Sequence, residues 1–171
     1  RYETKASNFS EYRFIDSYMF QPYLFALENI VDLVRPNFSI LEIGAGTGWF
    51  TEKILSKISK IKIKEYFAND ISPKSLETLL ENNSKYIQIT PLVCNYENLS
   101  LPDSSIDLIV GSGILSYADL SQTITEFSRV LKSGGFLILV DSLNNNLIYR
   151  WNRYFRYILR SRSKSTIIRI P

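Results

Sequence analysis

The sequence predicts an α/β fold, a doubly wound and mostly parallel sheet with helices on both faces, and three observations predict it. Short aliphatic runs alternate with helical patterns along most of the 171 residues, the arrangement of strand–helix–strand units whose right-handed crossovers lay helices over a parallel sheet. The first run, Ile40-Leu41-Glu42-Ile43, breaks into Gly44-Ala45-Gly46-Thr47-Gly48 before a helix begins. The second run ends on an acid, Asp70, at the carboxyl end of a strand, where open α/β sheets meet their ligands.

The elements follow in order. Residues 1–37 read as one or two helices ending near Pro36, because Phe20, Tyr23, Leu24, Ala26, Leu27, Ile30, Val31 and Val34 recur at helical spacing and give one apolar face to lay on a sheet. A strand is predicted over Ser39–Ile43, a helix over Gly48–Ser59 and a strand over Ile61–Asn69. Ser72-Pro73 reads as N-cap and first helical residue of a helix reaching Asn83. The strand over Ile87–Cys94 contains Pro91, whose missing N–H is tolerated at a sheet edge. A strand over Ile106–Gly111 and a helix over Leu120–Leu131 come next. Lys132-Ser133-Gly134-Gly135 then reads as a helix cap turning into a last strand, Gly135–Val140. Three parts result: a helical segment over 1–37 packed on the core, a ligand-binding core over 38–141, and a tail over 142–171.

Composition removes several chemistries. The hydrophobic share of 45% with 22% charged residues is that of a soluble globular domain. No apolar run approaches the roughly 20 residues that span a bilayer, and Arg1-Tyr2-Glu3-Thr4-Lys5 is not a signal peptide, so a cytoplasmic protein is expected. The missing initiating Met suggests a piece of a longer chain. With no histidine in the sequence, a Ser-His-Asp triad, a histidine base and the usual zinc sites are excluded, and no metal is expected. Cys94 is the only cysteine and reads as a small core residue at a strand end.

The glycine turn carries the ligand argument. Without a Cβ, its residues let another molecule approach the main chain, and the turn leads into a helix N-terminus that favours accepting ligand atoms. A dinucleotide fingerprint wants its third glycine about five residues after the first, and Trp49 holds that place. A nicotinamide oxidoreductase is therefore disfavoured. Asp70 can accept both hydroxyls of a ribose, and Ser72-Pro73 starts the helix that aims it.

Glu42-Ile43-Gly44-Ala45-Gly46-Thr47-Gly48 resembles the first motif of the class I S-adenosylmethionine-dependent methyltransferases, of the small-molecule, methyltransferase-11-like type with a Rossmann-like sheet. The resemblance covers about residues 38–141. It implies that Gly44, Ala45 and Gly46, with Gly48 closing the turn, line the methionine and ribose part of S-adenosyl-L-methionine, that Glu42 faces its amino group through water, and that the product is S-adenosyl-L-homocysteine. It implies that Asp70 holds the ribose and Ile71 packs on the adenine. Asn95-Tyr96-Glu97-Asn98-Leu99 resembles the segment that faces the adenine amino group. Asn95 stands where the family usually has an aspartate, and Tyr96 either stacks on adenine or covers the core. Ser112, at the end of the fourth strand, joins the cofactor set, while Asp107, opening that strand, reads as structural. The histidine that many relatives carry shortly afterwards is replaced by Ser116-Tyr117. The family's final strands are not evident.

The tail is basic. From Ser142 to Pro171 there are seven Arg and Lys residues and no acid, so the net charge of +3 hides an acidic core. Leu147, Ile148, Trp151, Tyr154, Phe155, Ile158 and Leu159 form one helical stripe, with Arg150, Arg153, Arg156 and Arg160 largely opposite. Such a helix over 147–164 either packs on its own domain or meets an anionic or membrane surface. Nucleic acid is disfavoured as a partner, and the oligomeric state stays open.

The expected activity is in-line methyl transfer to an oxygen or carbon of a small-molecule or amphiphilic acceptor. No catalytic residue is assigned. Tyr12 and Tyr117 are the acceptor-side candidates. A protein that binds the cofactor or a partner without transferring methyl stays open as the alternative.

Overall fold

The computed structural model describes residues 16–86, 89–115 and 119–141. The elements are α1 (Asp16–Leu33), β1 (Ser39–Ile43), α2 (Trp49–Ile58), β2 (Glu65–Asp70), α3 (Pro73–Asn82), β3 (Ile89–Val93), β4 (Ile106–Ser112), α4 (Leu120–Val130) and β5 (Leu131–Val140). The strands form one sheet in the order β3-β2-β1-β4-β5, every neighbouring pair parallel. The chain leaves β1 for β2 and β3 on one side, then returns to β4 and β5 on the other. The order thus reverses between β1 and β4, and open sheets of this kind take their ligands at the carboxyl ends of the strands at such a reversal.

Each face of the sheet buries its own apolar set. Ile40, Tyr66, Ala68, Leu108 and Val110 pack with Leu27 and Ile30 of α1, Phe50 and Ile54 of α2, and Leu76 and Leu79 of α3. On the opposite face Leu41, Ile43 and Ile109 pack with Phe127 and Val130 of α4 and with Leu99 and Leu101. A strand covered on both faces is mostly apolar rather than apolar at alternate positions; β1 is buried along its whole length, Ser39 and Glu42 included.

Local chemistry sets the boundaries. Ser72 caps α3, its hydroxyl accepting from the Ser75 N–H at 3.3 Å, and Pro73 takes the first turn. Asp119 caps α4 by accepting from Ser121 N and Gln122 N. Pro91 lies in β3, paired with Ala68 of β2 at the sheet edge, as expected. Pro22 does not end α1.

The boundaries of β2, α4 and β5 differ from the sequence reading in instructive ways. Strand β2 begins at Glu65 rather than Ile61: Ile61 N and Ile63 N make turn bonds to Ile58 O and Ile61 O, while Lys62 O and Lys64 N tie the segment to Asn37 N and Phe38 O ahead of β1. Helix α4 ends at Val130, and β5 starts at once in extended Leu131. Lys132 to Gly135 therefore form an irregularity inside β5, with Gly134 at φ +78°, instead of a helix cap.

Among the described residues no helix is long and apolar enough to cross a membrane. Tyr12, Tyr117 and the basic segment 147–164 lie outside the described residues.

Candidate functional site

The glycine turn sits at the carboxyl end of β1, flanked by Asn69 of β2 and Gly111 of β4, both paired with Ile43. Its three glycines have φ of +64°, +55° and +87°, but each meets a different neighbour. A Cβ on Gly44 would come within 2.7 Å of Ile114 Cγ2, so Gly44 admits a side chain from the segment after β4. A Cβ on Gly48 would strike Asn83 Nδ2 at 2.5 Å and Leu79 Cγ at 2.8 Å, so the third glycine serves the packing of α3 on α2. Of the three, Gly46 alone would place a Cβ beyond 4 Å from every described residue. That is where the main chain lies open.

The turn is tied down from both sides. Ala45 N donates to Asn69 O at 2.9 Å and Gly48 N to Ala45 O at 3.1 Å. From α3, Asn82 Nδ2 donates to Thr47 O at 3.1 Å and Asn83 Nδ2 to Gly48 O at 3.3 Å. The sequence pattern marks Asn83 only as a helix end. Trp49 opens α2 with its ring edge-on to Tyr23 of α1, centroids 5.5 Å apart.

Asp70 joins the turn to the next helix. Its Oδ2 accepts from Gly46 N and its Oδ1 from Ser72 N, both at 2.9 Å. A carboxylate has about four acceptor positions; two go to these backbone bonds, leaving half-buried Asp70 the capacity to take ligand hydroxyls. Ile71 is 71% exposed, an apolar surface beside that carboxylate.

Glu42, by contrast, is enclosed. It is 1% exposed, and its Oε2 accepts from Thr51 Oγ1 and Tyr66 OH, each at 2.7 Å. The carboxyl joins β1, α2 and β2 directly beneath the glycine turn. Burial raises its pKa to about 7 against the two hydroxyl bonds, which lower it. Burial first, then the Glu42 charge, pushes the Tyr66 phenol well above its ordinary range.

The loop after β3 is built around its own side chains. Asn69 Nδ2 donates to Leu92 O and Cys94 O, which fixes the strand end and places half-buried Cys94. Asn95 is exposed, its Oδ1 accepting from Glu97 N at 3.1 Å and its Nδ2 donating to Glu97 Oε2 at 3.0 Å. Its amide thus forms a turn with Glu97, whose other oxygen accepts from Asp119 N at 2.6 Å. Tyr96 is half-buried and donates its hydroxyl to Ile114 O at 3.3 Å. Further along, Arg129 of α4 donates to Leu99 O, Leu101 O, Asp103 and Glu126. The Arg129 bond holds Glu126 below the usual carboxylate range.

At the fourth strand, Asp107 accepts from Ser39 N and pairs with Lys132, a structural role as its position implied. Ser112 ends β4 half-buried and paired with Val140. Beyond it come Gly113, Ile114 and Leu115, whose part in the site the sequence did not reveal. Turn, Asp70, Ile71, Tyr96 and Ser112 gather at one end of the sheet, with Glu42 beneath.

Residues 41–139 match the family described as "Methyltransferase domain". The chain is 30% identical over 129 residues to a polyketide synthase-nonribosomal peptide synthetase of Aspergillus clavatus, an alignment covering 72% of this chain and 3% of that protein. It thus spans only a small fraction of that relative's length. Its fold is similar to that of the YcgJ protein from Bacillus subtilis, with a TM-score of 0.64 and 22% identity over 78% of this chain and 58% of that one. The DszA carbon methyltransferase gives a TM-score of 0.57 and 26% identity over 72% of this chain and 34% of that one. With a fold of this class and a family match over more than half its length, the chain belongs to the methyltransferase domain family of S-adenosylmethionine-dependent enzymes.

Proposed function

We propose that this methyltransferase holds S-adenosylmethionine over the glycine turn and methylates a carbon acceptor, a methylene activated by flanking carbonyls in a small or amphiphilic molecule. The observation that carries the donor half is Asp70: its carboxylate is fixed by Gly46 and Ser72 at 2.9 Å each and stands between an open main-chain position at Gly46 and exposed Ile71. These residues fit an adenosyl group, with ribose hydroxyls on the carboxylate and the base against the isoleucine. When bound, the cofactor supplies an electrophilic methyl group on a sulfonium and leaves as S-adenosylhomocysteine. The chain's own task is then alignment and exclusion of water.

The acceptor half rests on two supports. The similar curated protein is a polyketide synthase-nonribosomal peptide synthetase, and a similar solved structure is a carbon methyltransferase. A sequence with no histidine also suits an acceptor whose proton leaves readily, as it does from carbon between two carbonyls. Calorimetric titration with S-adenosylhomocysteine and, separately, with NAD tests the donor site; binding of the first alone is expected. Incubation with S-adenosylmethionine and the N-acetylcysteamine thioester of 3-oxobutanoate, beside catechol as an oxygen acceptor, tests the acceptor. One added methyl on the thioester's C2 is expected. Methylation of catechol alone would overturn the carbon assignment.

A further inference from the structure

The three residues after β4 are held from every side. Gly113 N donates to Val140 O at 2.8 Å, extending the β4–β5 pairing one residue past the strand end. Leu115 N donates to Asp141 Oδ2 at 2.7 Å. From the loop after β3, Tyr96 OH reaches Ile114 O at 3.3 Å. From β1, Gly44 leaves the space that Ile114 Cγ2 fills, 2.7 Å from where a Cβ would stand. Ile114 is 4% exposed, whereas a side chain on Gly113 would meet none of the described residues within 4 Å. The segment therefore forms a bridge across the carboxyl ends of β1, β4 and β5, packed onto the glycine turn.

Asp141 is the half-buried carboxylate at the β5 end of this bridge. A side-chain oxygen that accepts a backbone N–H fixes that segment of chain, and this one holds Leu115 at 2.7 Å, next to the residue that rests on Gly44. A shift of the bridge by a fraction of an ångström moves Ile114 against the turn, and in-line transfer is sensitive to such displacements.

We infer that Asp141 is a positioning residue for methyl transfer, acting through the Leu115 amide to hold the Gly113–Leu115 bridge, and with it Ile114, against the glycine turn. The inference rests on the donor-site reading above. It concerns how firmly the bridge is held against the turn, not donor affinity.

The test compares the full chain with Asp141→Asn and Asp141→Ala. Asparagine keeps an oxygen for the Leu115 amide, so Asp141→Asn is expected to retain kcat toward the 3-oxobutanoyl thioester within about threefold. Asp141→Ala is expected to lose at least about tenfold in kcat, with its calorimetric Kd for S-adenosylhomocysteine within about threefold of the parent. Equal losses in both variants, or none in the alanine variant, would overturn the inference. If the parent binds S-adenosylhomocysteine but does not methylate the thioester, the acceptor assignment fails and amide NMR decides the positioning role. Saturating S-adenosylhomocysteine should shift the Gly44 and Leu115 amide resonances together in the parent and the asparagine variant, and Gly44 alone in the alanine variant. A Leu115 resonance unmoved in the parent would overturn it. No binding of S-adenosylhomocysteine to the parent would instead remove the donor-site reading, and this inference with it.

Discussion

The Asp70 carboxylate accepts the Gly46 amide at 2.9 Å, so the acid at the end of β2 and the open glycine of the β1 turn form one unit rather than two neighbouring motifs. Asp70 consequently has two tasks, fixing the turn and offering its remaining acceptor positions to a ligand. Asp70→Ala removes both and should weaken S-adenosylhomocysteine binding by at least about tenfold, the 1.4 kcal/mol expected of one charged contact. Asp70→Asn keeps one acceptor oxygen and should fall between alanine and the parent. Calorimetry checks both, and unchanged affinity in the alanine variant would remove the ribose assignment.

Gly48→Ala should be a stability variant rather than a binding one. The residue lies at φ +87° with Leu79 Cγ 2.8 Å from the added Cβ, so substitution combines a left-handed backbone with overpacking against α3. Costs of about 1–3 kcal/mol are typical of either effect alone. Urea unfolding should show a lower midpoint with an unchanged slope. A midpoint equal to that of the parent would mean α3 yields without cost.

How far the sequence disclosed these parts depended on range. The turn, the Ser72-Pro73 cap, edge Pro91 and the strand alternation are local chemistry, and all were legible from neighbouring residues. Ile114 resting on Gly44, Asn82 and Asn83 donating to the turn, and Asp141 accepting from Leu115 each join residues 26–70 positions apart, where no pattern marks the partner. Glu42 belongs to both groups: its place in the motif was plain, but its enclosure by Thr51 and Tyr66 depends on α2 and β2 folding back over β1. Ile61 and Ile63 alternate like a strand and pack against the core, and Lys62 and Lys64 bond across to Asn37 and Phe38, so the pattern runs ahead of the regular pairing that begins at Glu65.

Arg129 offers a third prediction. Its guanidinium donates to Leu99 O, Leu101 O, Asp103 and Glu126, holding the loop between β3 and β4 on α4. Arg129→Ala leaves two carbonyls and a partly buried carboxylate without their donor and should cost about 2 kcal/mol. Arg129→Lys should recover only part, since an ammonium cannot reproduce the planar fork. Chemical denaturation of the three chains checks the order. A lysine variant as stable as the parent would reduce the cluster to a simple charge contact.

Glu42 sets a pH dependence whose sign follows from its burial. Its carboxyl is raised from 4.5 to about 7, so between those values the folded chain holds a proton that the unfolded chain has released. Stability from this group is therefore full below about pH 4.5, falls as pH rises through 7, and is constant above that, a loss on the order of 3 kcal/mol. Tyr66, the ionisable side chain bonded to it, is pushed well above its ordinary range and stays neutral throughout. Glu42→Gln keeps the volume and an acceptor oxygen for Thr51 and Tyr66 but cannot ionise. The variant should match the parent in urea near pH 4 and exceed it at pH 8, with the difference growing between about pH 4.5 and 7. A difference independent of pH would show that Glu42 keeps one protonation state across that range, and the stabilising role of its proton would be wrong.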